Sequence, residues 1–185
     1  MQPIGGLKLI IMAFLESENL LLRALEPEDL DVLYQWENDS DLWKYGSTLT
    51  PYSKFALRDY LDNSLQDIFH SRQLRLMIID KKTGKAIGTI DLYDYEPIHL
   101  RTGIGILLDA AYRNKGLGME ALHLSKEYAF RFLHLKQLYA YVPQTNIPSI
   151  KLFNKCGYVQ AGILKSWLKI RDGFEDVCLM QLIKE

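Results

Sequence analysis

The sequence predicts a single-domain α/β protein in which helices flank a mixed, mostly antiparallel central sheet. A chain of 185 residues suits one domain with a sizeable core. Its 48% apolar and 24% charged residues are an ordinary globular composition. Several strand patterns follow one another through short turns, and a helical pattern over residues 116–133 joins two strands as a crossover does.

The first half of the chain alternates between strand patterns, helix patterns and turn signals. Pro27 favours a helix start, and Glu28 and Asp29 in the next turn suit the positive end of the helix dipole. We expect strands over residues 20–25, 74–80, 86–95 and 101–108, helices from Pro27 and over 52–70, and a loop over 36–51. The apolar side of the second helix would be Phe55, Tyr60, Leu61, Leu65, Ile68 and Phe69.

The second half of the chain predicts the crossover helix, a strand, a short helix and a hairpin. The stripe of the crossover helix is expected to be core: Leu117, Ala121, Leu124, Tyr128 and Phe132. A strand over residues 137–142 follows, and then a short helix with Pro148 in its first turn and Gly157 at its end. Strands over 158–170 and 174–183 would form a hairpin around an Asp-Gly turn.

Two glycines and two basic residues lie together between the strand over 101–108 and the crossover helix. Gly116 and Gly118 let the backbone approach a ligand closely, and the helix start directs unpaired N–H groups to the same place. Arg113 and Lys115 add positive charge. The segment therefore predicts a pyrophosphate site, although a tight turn with solvated basic residues is the plain alternative.

Two other phosphate motifs fit the chain less well. No segment has the Gly-x4-Gly-Lys-Ser/Thr pattern of a P-loop. Residues 116–121 match the dinucleotide pattern G-x-G-x-x-A, but they lie past the middle of the chain. No Asp or Glu, which would hold the ribose, occurs between residues 128 and 171. A nicotinamide site is therefore disfavoured.

Three segments resemble the signatures of the GNAT acyltransferases, and they occur in that family's order. They are the basic, glycine-containing loop over 113–118, the Asn-Ile-Pro-Ser-Ile-Lys-Leu-Phe-Asn-Lys-Cys-Gly-Tyr segment over 146–158, and the opening strand and helix over 19–30. The resemblance covers residues 19–183 and is nearest to the branch of ribosomal-protein N-terminal and spermidine acetyltransferases. It implies the GNAT fold and the transfer of an acetyl group from acetyl-CoA to a primary amine.

The resemblance also implies roles for individual residues. The pyrophosphate of acetyl-CoA would be bound by Arg113, Lys115, Gly116 and Gly118. The main chain of Ile106 and Leu107 would pair with the pantetheine arm, and a main-chain N–H near Leu107 would stabilise the oxyanion. Asn146 would cap the short helix and contact the pantetheine arm, and Lys151 would reach a CoA phosphate or face solvent.

Catalysis by this family needs a base for the amine and a proton donor for the leaving thiolate. Asp91 and Asp94 are the leading candidates for the base, with Glu96 and His99 as others. Many members carry a tyrosine as the donor, but Phe153 occupies that position here. Ser149, one turn earlier, is the candidate replacement, although a hydroxyl at a helix start often bonds its own backbone.

The acceptor is expected to be a small cationic amine or a peptide N-terminus. The candidates for contact with it are Tyr93 and three acids, Glu37, Asp39 and Asp41, which share one short segment with Trp36, Trp43 and Tyr45. A solvated acidic loop with its tryptophans in the core is the plain alternative. Spermidine acetyltransferases carry glutamates before the Pro-Tyr-Ser segment, whereas residues 47–50 are Ser-Thr-Leu-Thr here.

The remaining expectations concern context. Residues 1–18 would be an N-terminal extension, with Met1 or Met12 as the start, and residues 19–185 the acetyltransferase domain. The net charge of −1 gives no bias towards nucleic acid or membrane, and Cys156 and Cys178 suit a reduced, cytoplasmic protein. We expect acetyl-CoA as acetyl donor, no metal and a possible homo-oligomer. An acyl-CoA-binding regulator with little or no catalysis is the alternative function.

Overall fold

A computed structural model of the protein describes residues 14–43, 50–63 and 68–185. The strands form one sheet of seven in the order β1-β2-β3-β4-β5-β7-β6. They are β1 Leu20–Arg23, β2 Leu74–Asp80, β3 Lys85–Glu96, β4 Arg101–Leu108, β5 Gln137–Pro143, β6 Val159–Ile170 and β7 Gly173–Ile183. The helices are α1 Leu30–Glu37, α2 Ser40–Trp43, α3 Lys54–Asn63, α4 Ile68–Ser71, α5 Leu117–Glu127 and α6 Ile147–Lys155.

The sheet confirms the predicted α/β class and its mixed, mostly antiparallel character. Each described neighbour pair is antiparallel except β4 and β5, which run parallel. Helix α5 connects these two strands, because parallel neighbours need a crossover. The crossover predicted from residues 116–133 is therefore confirmed, with a π-helical turn over Tyr128–Phe132 at its end.

The parallel pair β4–β5 opens along its length. The register joins only Arg101, Thr102 and Gly103 to Gln137, Leu138 and Tyr139. Both strands continue beyond these pairs without bonding to each other: β4 ends at Leu108 and β5 at Pro143. The sheet therefore contains a wedge-shaped opening whose closed end lies at Gly103 and Tyr139. Main-chain groups that face this opening are available to an extended ligand.

Two apolar clusters cover opposite faces of the sheet. The larger joins β1–β5 and β7 to α5 and α6 through side chains such as Ile90, Ile104 and Leu122. The smaller packs Leu33 and Trp36, both from α1, and residues of α3 against β1 and β2. Helices α1 and α3 cover only the N-terminal strands on this face of the sheet. The side chains that β5–β7 present on the same face are therefore more exposed.

The buried face of the second predicted helix differs in part from the apolar side that the sequence predicts. Phe55 is 80% exposed and Phe69 is 60% exposed, so neither belongs to the core as expected. Leu61 and Ile68 are buried as predicted, and Leu57, which was not predicted, is buried one turn before Leu61. Leu65 lies outside the described residues. The expected loop over 36–51 is also wrong in part, because α1 extends to Glu37 and Ser40–Trp43 is helical.

The residues just before β1 pack against the rest of the protein. Leu15 is 9% exposed and lies in the large core cluster. The Ser17 hydroxyl donates a 2.6 Å hydrogen bond to Glu120 of α5, and Asn19 also binds that carboxylate. These contacts tie residues 15–19 to the large core cluster and to the start of the crossover helix.

Both cysteines are buried and unpaired with each other, as predicted. Cys156 follows α6 and Cys178 lies in β7, and both pack in the large cluster. Within the described ranges, no helix has the length and apolar character needed to cross a membrane. Those ranges also contain no group of three or more His, Cys, Asp or Glu that could hold a metal ion.

Candidate active site

The loop before α5 is shaped by left-handed backbone and by two capping contacts. The Asp109 side chain accepts from the Ala111 N–H at 2.9 Å, and the Arg113 Nε donates to the Leu108 carbonyl at 2.9 Å. Asn114 has φ +60° and Gly116 has φ +82°. The chain therefore turns sharply from the end of β4 into the helix.

This turn leaves a run of main-chain donors without internal partners. In the part of the chain that the structure describes, no hydrogen bond uses the N–H groups of residues 114–118. The next two N–H groups, of Met119 and Glu120, both donate to the Gly116 carbonyl. Successive free N–H groups at the positive end of a helix form an anion-binding concavity. Arg113 and Lys115 are exposed beside it.

Gly118 has a packing role in addition to any role in the loop. A Cβ at this position would lie 3.1 Å from Leu108 Cδ1, 3.3 Å from Leu152 Cδ2 and 3.8 Å from Ile106 Cδ1. The glycine is buried, and its lack of a side chain lets α5 approach β4 and α6. By contrast, no atom lies within 4 Å of a Cβ built on Gly116. Gly116 is therefore the cleaner position at which to test the loop.

Main-chain direction separates the two β4 residues that the sequence paired with the cofactor. The Leu100 carbonyl accepts from β5, whereas the Asp109 N–H donates to Ile87 in β3. Strand alternation then turns the N–H and C=O of Ile106 towards the opening and those of Leu107 towards β3. The Leu107 side chain packs in the smaller cluster. Ile106 keeps its proposed role, and the structure argues against Leu107.

Helix α6 borders the opening on the side of the large cluster. The Asn146 side chain caps it, accepting from the Ser149 N–H at 3.2 Å as expected. Among the described residues no partner is recorded for the Ser149 hydroxyl, so it remains a donor candidate. Lys151 is exposed and Phe153 is only 2% exposed. Phe153 is thus a core side chain as well as one without a proton to donate.

Tyr93 lies across the closed end of the opening on the opposite face of the sheet. A Cβ on Gly103 would lie 2.1 Å from Tyr93 Cε2, so the ring rests directly on this glycine. The Tyr93 and Tyr139 rings meet edge to face, with their centroids 6.0 Å apart. Burial raises the pKa of Tyr93, although a hydrogen bond from the Tyr141 backbone opposes the shift. The phenol therefore reaches from β3 over β4 to β5.

Two predicted site carboxylates are already paired with one arginine. Arg75 donates to Asp91 through Nε and to Glu37 through Nη1 at 2.6 Å. All three side chains are about four-fifths buried, with 18–20% exposure. The guanidinium also lies 5.4 Å from the Tyr60 ring. Because one buried guanidinium already binds both carboxylates, the structure argues against Asp91 as the base and Glu37 as an acceptor contact.

Asp94 is placed differently from Asp91. It is exposed at a β3 irregularity with φ +49°, and the structure records no ion pair for it within the described ranges. Burial and the charge of Asp94 both raise the pKa of Tyr139, to about 12. Of the two carboxylates predicted as the base, Asp94 is therefore the one that lies near the tyrosines at the closed end of the opening without an ion pair among the described residues.

A groove of about 230 Å³ lies on the open face of the sheet next to these residues. It is lined by Arg101, Gln137, Tyr139, Tyr141, Leu179 and Gln181. Sequence reasoning missed it, although Gln137, Tyr139 and Tyr141 alternate with buried residues along β5. That alternation shows a strand with one polar aromatic face. The groove is the candidate acceptor site.

The acidic segment near residue 40 does not form the open aromatic patch that was expected. Trp36 is 7% exposed and its Nε1 approaches Asp109 at 3.4 Å, while Trp43 Nε1 donates to the Glu37 carbonyl at 2.7 Å. Both tryptophans thus anchor the segment. Asp39 is exposed, and the Asp41 side chain lies outside the described residues.

The chain is similar to known acetyltransferases in sequence and in fold. The family model described as "Acetyltransferase (GNAT) domain" matches residues 19–159. An uncharacterized N-acetyltransferase p20 of Bacillus licheniformis is 32% identical over 174 residues, covering 94% of this chain and 97% of that protein.

Solved structures agree as well. Spermidine N-acetyltransferase from Vibrio cholerae, in complex with CoA and spermine, matches with a TM-score of 0.82 at 25% identity, covering 90% of this chain and 96% of that one. Ribosomal-protein-S5-alanine acetyltransferase from Vibrio fischeri matches in fold, with a TM-score of 0.80 at 21% identity and coverages of 91% and 94%.

Proposed function

This chain belongs to the GNAT acetyltransferase family, and from that premise we propose which of its residues hold acetyl-CoA and what kind of amine it acetylates. The activity itself is acetyl transfer from acetyl-CoA to an amine. The observation that carries the placement is the free N–H run at residues 114–118 beside the opening between β4 and β5.

The pyrophosphate of acetyl-CoA binds the free N–H groups before α5, with Arg113 and Lys115 supplying charge. The pantetheine arm enters the opening and pairs with the main chain of Ile106, as an added strand pairs with a sheet edge. The acetyl thioester then lies near Gly103, at the closed end. Asn146 and Lys151 stand at the α6 border of the opening. This path joins the loop on one face to the groove on the other.

The chemistry at the closed end requires a neutral amine. A lysine-like amine has a pKa of about 10.4, so it must lose a proton before it attacks. Asp94 accepts that proton directly or through water. The nitrogen lone pair then forms the C–N bond, and a main-chain N–H facing the opening stabilises the oxyanion. Collapse breaks the C–S bond, and its electrons leave with the CoA sulfur.

The charge around the groove favours an acceptor with a single reacting amine. The Vibrio cholerae relative binds spermine, which suggests a polyamine for this chain too. However, Arg75 neutralises Glu37 and Asp91, and Arg101 lines the groove, so Asp94 is the uncompensated carboxylate among those described near it. A peptide or protein N-terminus needs one such carboxylate, whereas a polyamine offers several cations. We therefore rank the peptide N-terminus first and a polyamine second.

An acceptor panel tests this proposal. Release of CoA from acetyl-CoA is measured with spermidine, with peptides of varied first residue, and with the same peptides acetylated at the N-terminus. Turnover with free but not with blocked peptides supports the ranking. Turnover with spermidine alone would reverse it. Binding of acetyl-CoA without turnover on any amine would favour the regulator, which the N-acetyltransferase relatives do not favour.

The Asp94→Asn variant should weaken use of the amine without affecting the cofactor. Loss of one charge–charge contact and of the base is expected to lower kcat/KM for the amine by about 100-fold. The dependence of amine KM on salt should also weaken, because screening acts on the charge that was removed. Asp172→Asn, in the exposed β6–β7 turn, is the matched control.

The measurement is initial rates over a range of ionic strengths at saturating acetyl-CoA. The KM for acetyl-CoA should stay within about twofold, since Asp94 lies away from the pyrophosphate loop. Equal amine kinetics in the Asp94 and Asp172 variants would remove Asp94 from the site.

Two further features bear on the oligomeric state and the cellular environment. The apolar side chains Trp167, Ile170 and Phe174 are exposed on the β6–β7 hairpin, which supports a homo-oligomer. The two buried, unpaired cysteines support a reduced, cytoplasmic environment.

A further inference from the structure

The hydroxyl of Tyr158 is an exception among the buried polar groups of the protein. Tyr158 is 2% exposed, and within the described ranges its Oη is the buried side-chain polar atom with no hydrogen-bond partner. Buried hydroxyls are normally paired, because an unpaired one loses its bonds to water without replacement. An unpaired donor at this depth points to a partner that binds later.

The position of Tyr158 places it against the residue that lacks the proton. Tyr158 follows α6 directly, and its ring contacts the Phe153 ring edge-to-face at 5.0 Å and 83°. Both rings lie in the large cluster, on the α6 side of the opening between β4 and β5. The hydroxyl that position 153 lacks is therefore present on the neighbouring ring, that of Tyr158.

The strand register places Tyr158 at the level of the closed end of the opening. Burial raises the pKa of Tyr158, with further contributions from Cys156 and from Tyr93. Tyr93 lies on Gly103 at the closed end, on the other face of the sheet. Val159, the residue after Tyr158, pairs with Gln181, and Gln181 pairs with Tyr139, so Tyr158 lies at the level along the strands where the proposed path puts the thioester.

We propose that the Tyr158 hydroxyl donates a hydrogen bond to the sulfur of CoA as the C–S bond breaks, in place of a donor at position 153. This inference rests on the proposed path of acetyl-CoA through the opening. The amine nitrogen forms the new bond to the acetyl carbon, and the C–S electron pair goes to sulfur. Asp94 takes the first proton of the ammonium, and the second, which the nitrogen loses as the amide forms, passes through water to the thiolate.

The environment of Tyr158 suits hydrogen-bond donation more than full proton transfer. Its raised pKa keeps the phenol protonated through the neutral and alkaline range, so the donor is present at each turnover. A thiolate whose thiol has an ordinary pKa of about 8.5 would not take the proton from such a phenol. The developing negative charge on sulfur would instead be stabilised by a fixed dipole in a dry site.

The test removes only the hydroxyl. Tyr158→Phe should lower kcat by about 10- to 100-fold, the lower part of the range for one donor to a developing charge. The KM for acetyl-CoA should change less than about twofold, and the melting temperature should not fall, because the lost hydroxyl has no partner in the unliganded protein. Tyr128→Phe, another buried tyrosine that stacks on Phe132, is the matched control.

A swap and a binding measurement separate a chemical role from a structural one. Tyr158→Phe with Phe153→Tyr conserves the combined volume of the two rings, and we expect it to recover most of the lost kcat. The ratio of the affinity for CoA to that for desulfo-CoA is measured from neutral to alkaline pH. This ratio should rise with pH in the wild type, and it should rise less in Tyr158→Phe. The reason is that the hydroxyl would stabilise the bound thiolate.

The binding measurement needs no acceptor, so it distinguishes the failure of this inference from a wrong acceptor. Wild-type kcat in Tyr158→Phe, or an unchanged pH dependence of the CoA to desulfo-CoA ratio, would overturn the role of Tyr158. A loss of activity in Ser149→Ala with wild-type activity in Tyr158→Phe would assign the thiolate to Ser149. If no tested amine is acetylated by the wild type, the proposed acceptors fail and the binding ratio alone decides on Tyr158.

Discussion

Substituting Gly116 by valine should remove most of the thermal stabilisation that acetyl-CoA gives to this protein. Gly116 has φ +82°, a conformation that a β-branched residue adopts only under strain of about 1–2 kcal/mol. Relief of that strain turns the free N–H groups of residues 114–118 away from a common point. Each lost charge-assisted hydrogen bond is worth about 1.5–3 kcal/mol, so affinity should fall by about 10- to 100-fold.

The control for this substitution is a second glycine with the same backbone and the same free space. Gly84, in the β2–β3 turn, has φ +70° and no atom within 4 Å of a built Cβ, as is true of Gly116. Gly84→Val should therefore destabilise the protein by a similar amount without changing acetyl-CoA binding. Melting curves with and without acetyl-CoA measure both effects, since a ligand of the folded state raises the melting temperature.

The outcome decides whether the loop is the cofactor site. An equal shift with acetyl-CoA in the two valine variants would remove the loop from it. NADH should not change the melting temperature of either variant or of the wild type, because the loop is not followed by the carboxylate that would hold the ribose of NADH. Gly118 is unsuitable for this purpose, because its tight contacts with Leu108 and Leu152 would make any side chain a packing defect.

The strands and the crossover were predictable because their signals are local. Residues 74–80 and 101–108 form strands with the predicted bounds, since apolar runs between turn residues fix both ends. The loop over 113–118 was likewise found from glycine and charge, which mark a turn before a helix. Helix faces were less predictable. Phe55 in α3 and Phe69 in α4 are apolar but exposed, because the position of each helix on the sheet, not hydrophobicity, selects its buried side.

The catalytic groups depend on contacts between distant segments. Asp91 and Asp94 are equivalent in sequence terms, but Arg75, sixteen residues before Asp91, occupies one and not the other. The Tyr158 hydroxyl could not be identified as unpaired without knowing which atoms surround it. Likewise, only the register of β4 against β3 and β5 separates Ile106 from Leu107. Pairing, burial and main-chain direction are properties of the fold, which a single sequence does not display.

Replacing Gly103 by alanine should destabilise the protein and impair turnover far more than the same change at Gly105. A Cβ on Gly103 would lie 2.1 Å from Tyr93 Cε2 and 2.4 Å from Cζ, so the ring must leave its place. The Tyr141 N–H then loses its acceptor at the closed end of the opening. Overpacking and one unpaired buried group together cost about 3 kcal/mol.

Gly105 is the matched control because it lies two residues further along the same face of β4. A Cβ there would be 3.9 Å from Tyr93 Cε1 and from Asp91 Cβ, which is ordinary contact. Gly105→Ala should change stability by less than about 1 kcal/mol, and alanine is itself favoured over glycine in a strand. For a protein of this size, Gly103→Ala should lower the melting temperature by roughly 6–12 °C, and Gly105→Ala by a few degrees at most.

A double substitution identifies Tyr93 as the cause of the effect. Once Tyr93→Ala has removed the ring, adding Gly103→Ala should cost little, so the two losses of stability should not add. The coupling is measured by urea unfolding of the two single variants and the double variant. Additive losses would show that the ring does not rest on Gly103. With coupling present, a fall in kcat in Gly103→Ala that Gly105→Ala does not share would place the Tyr93 phenol, and with it the closed end of the opening, at the reacting thioester.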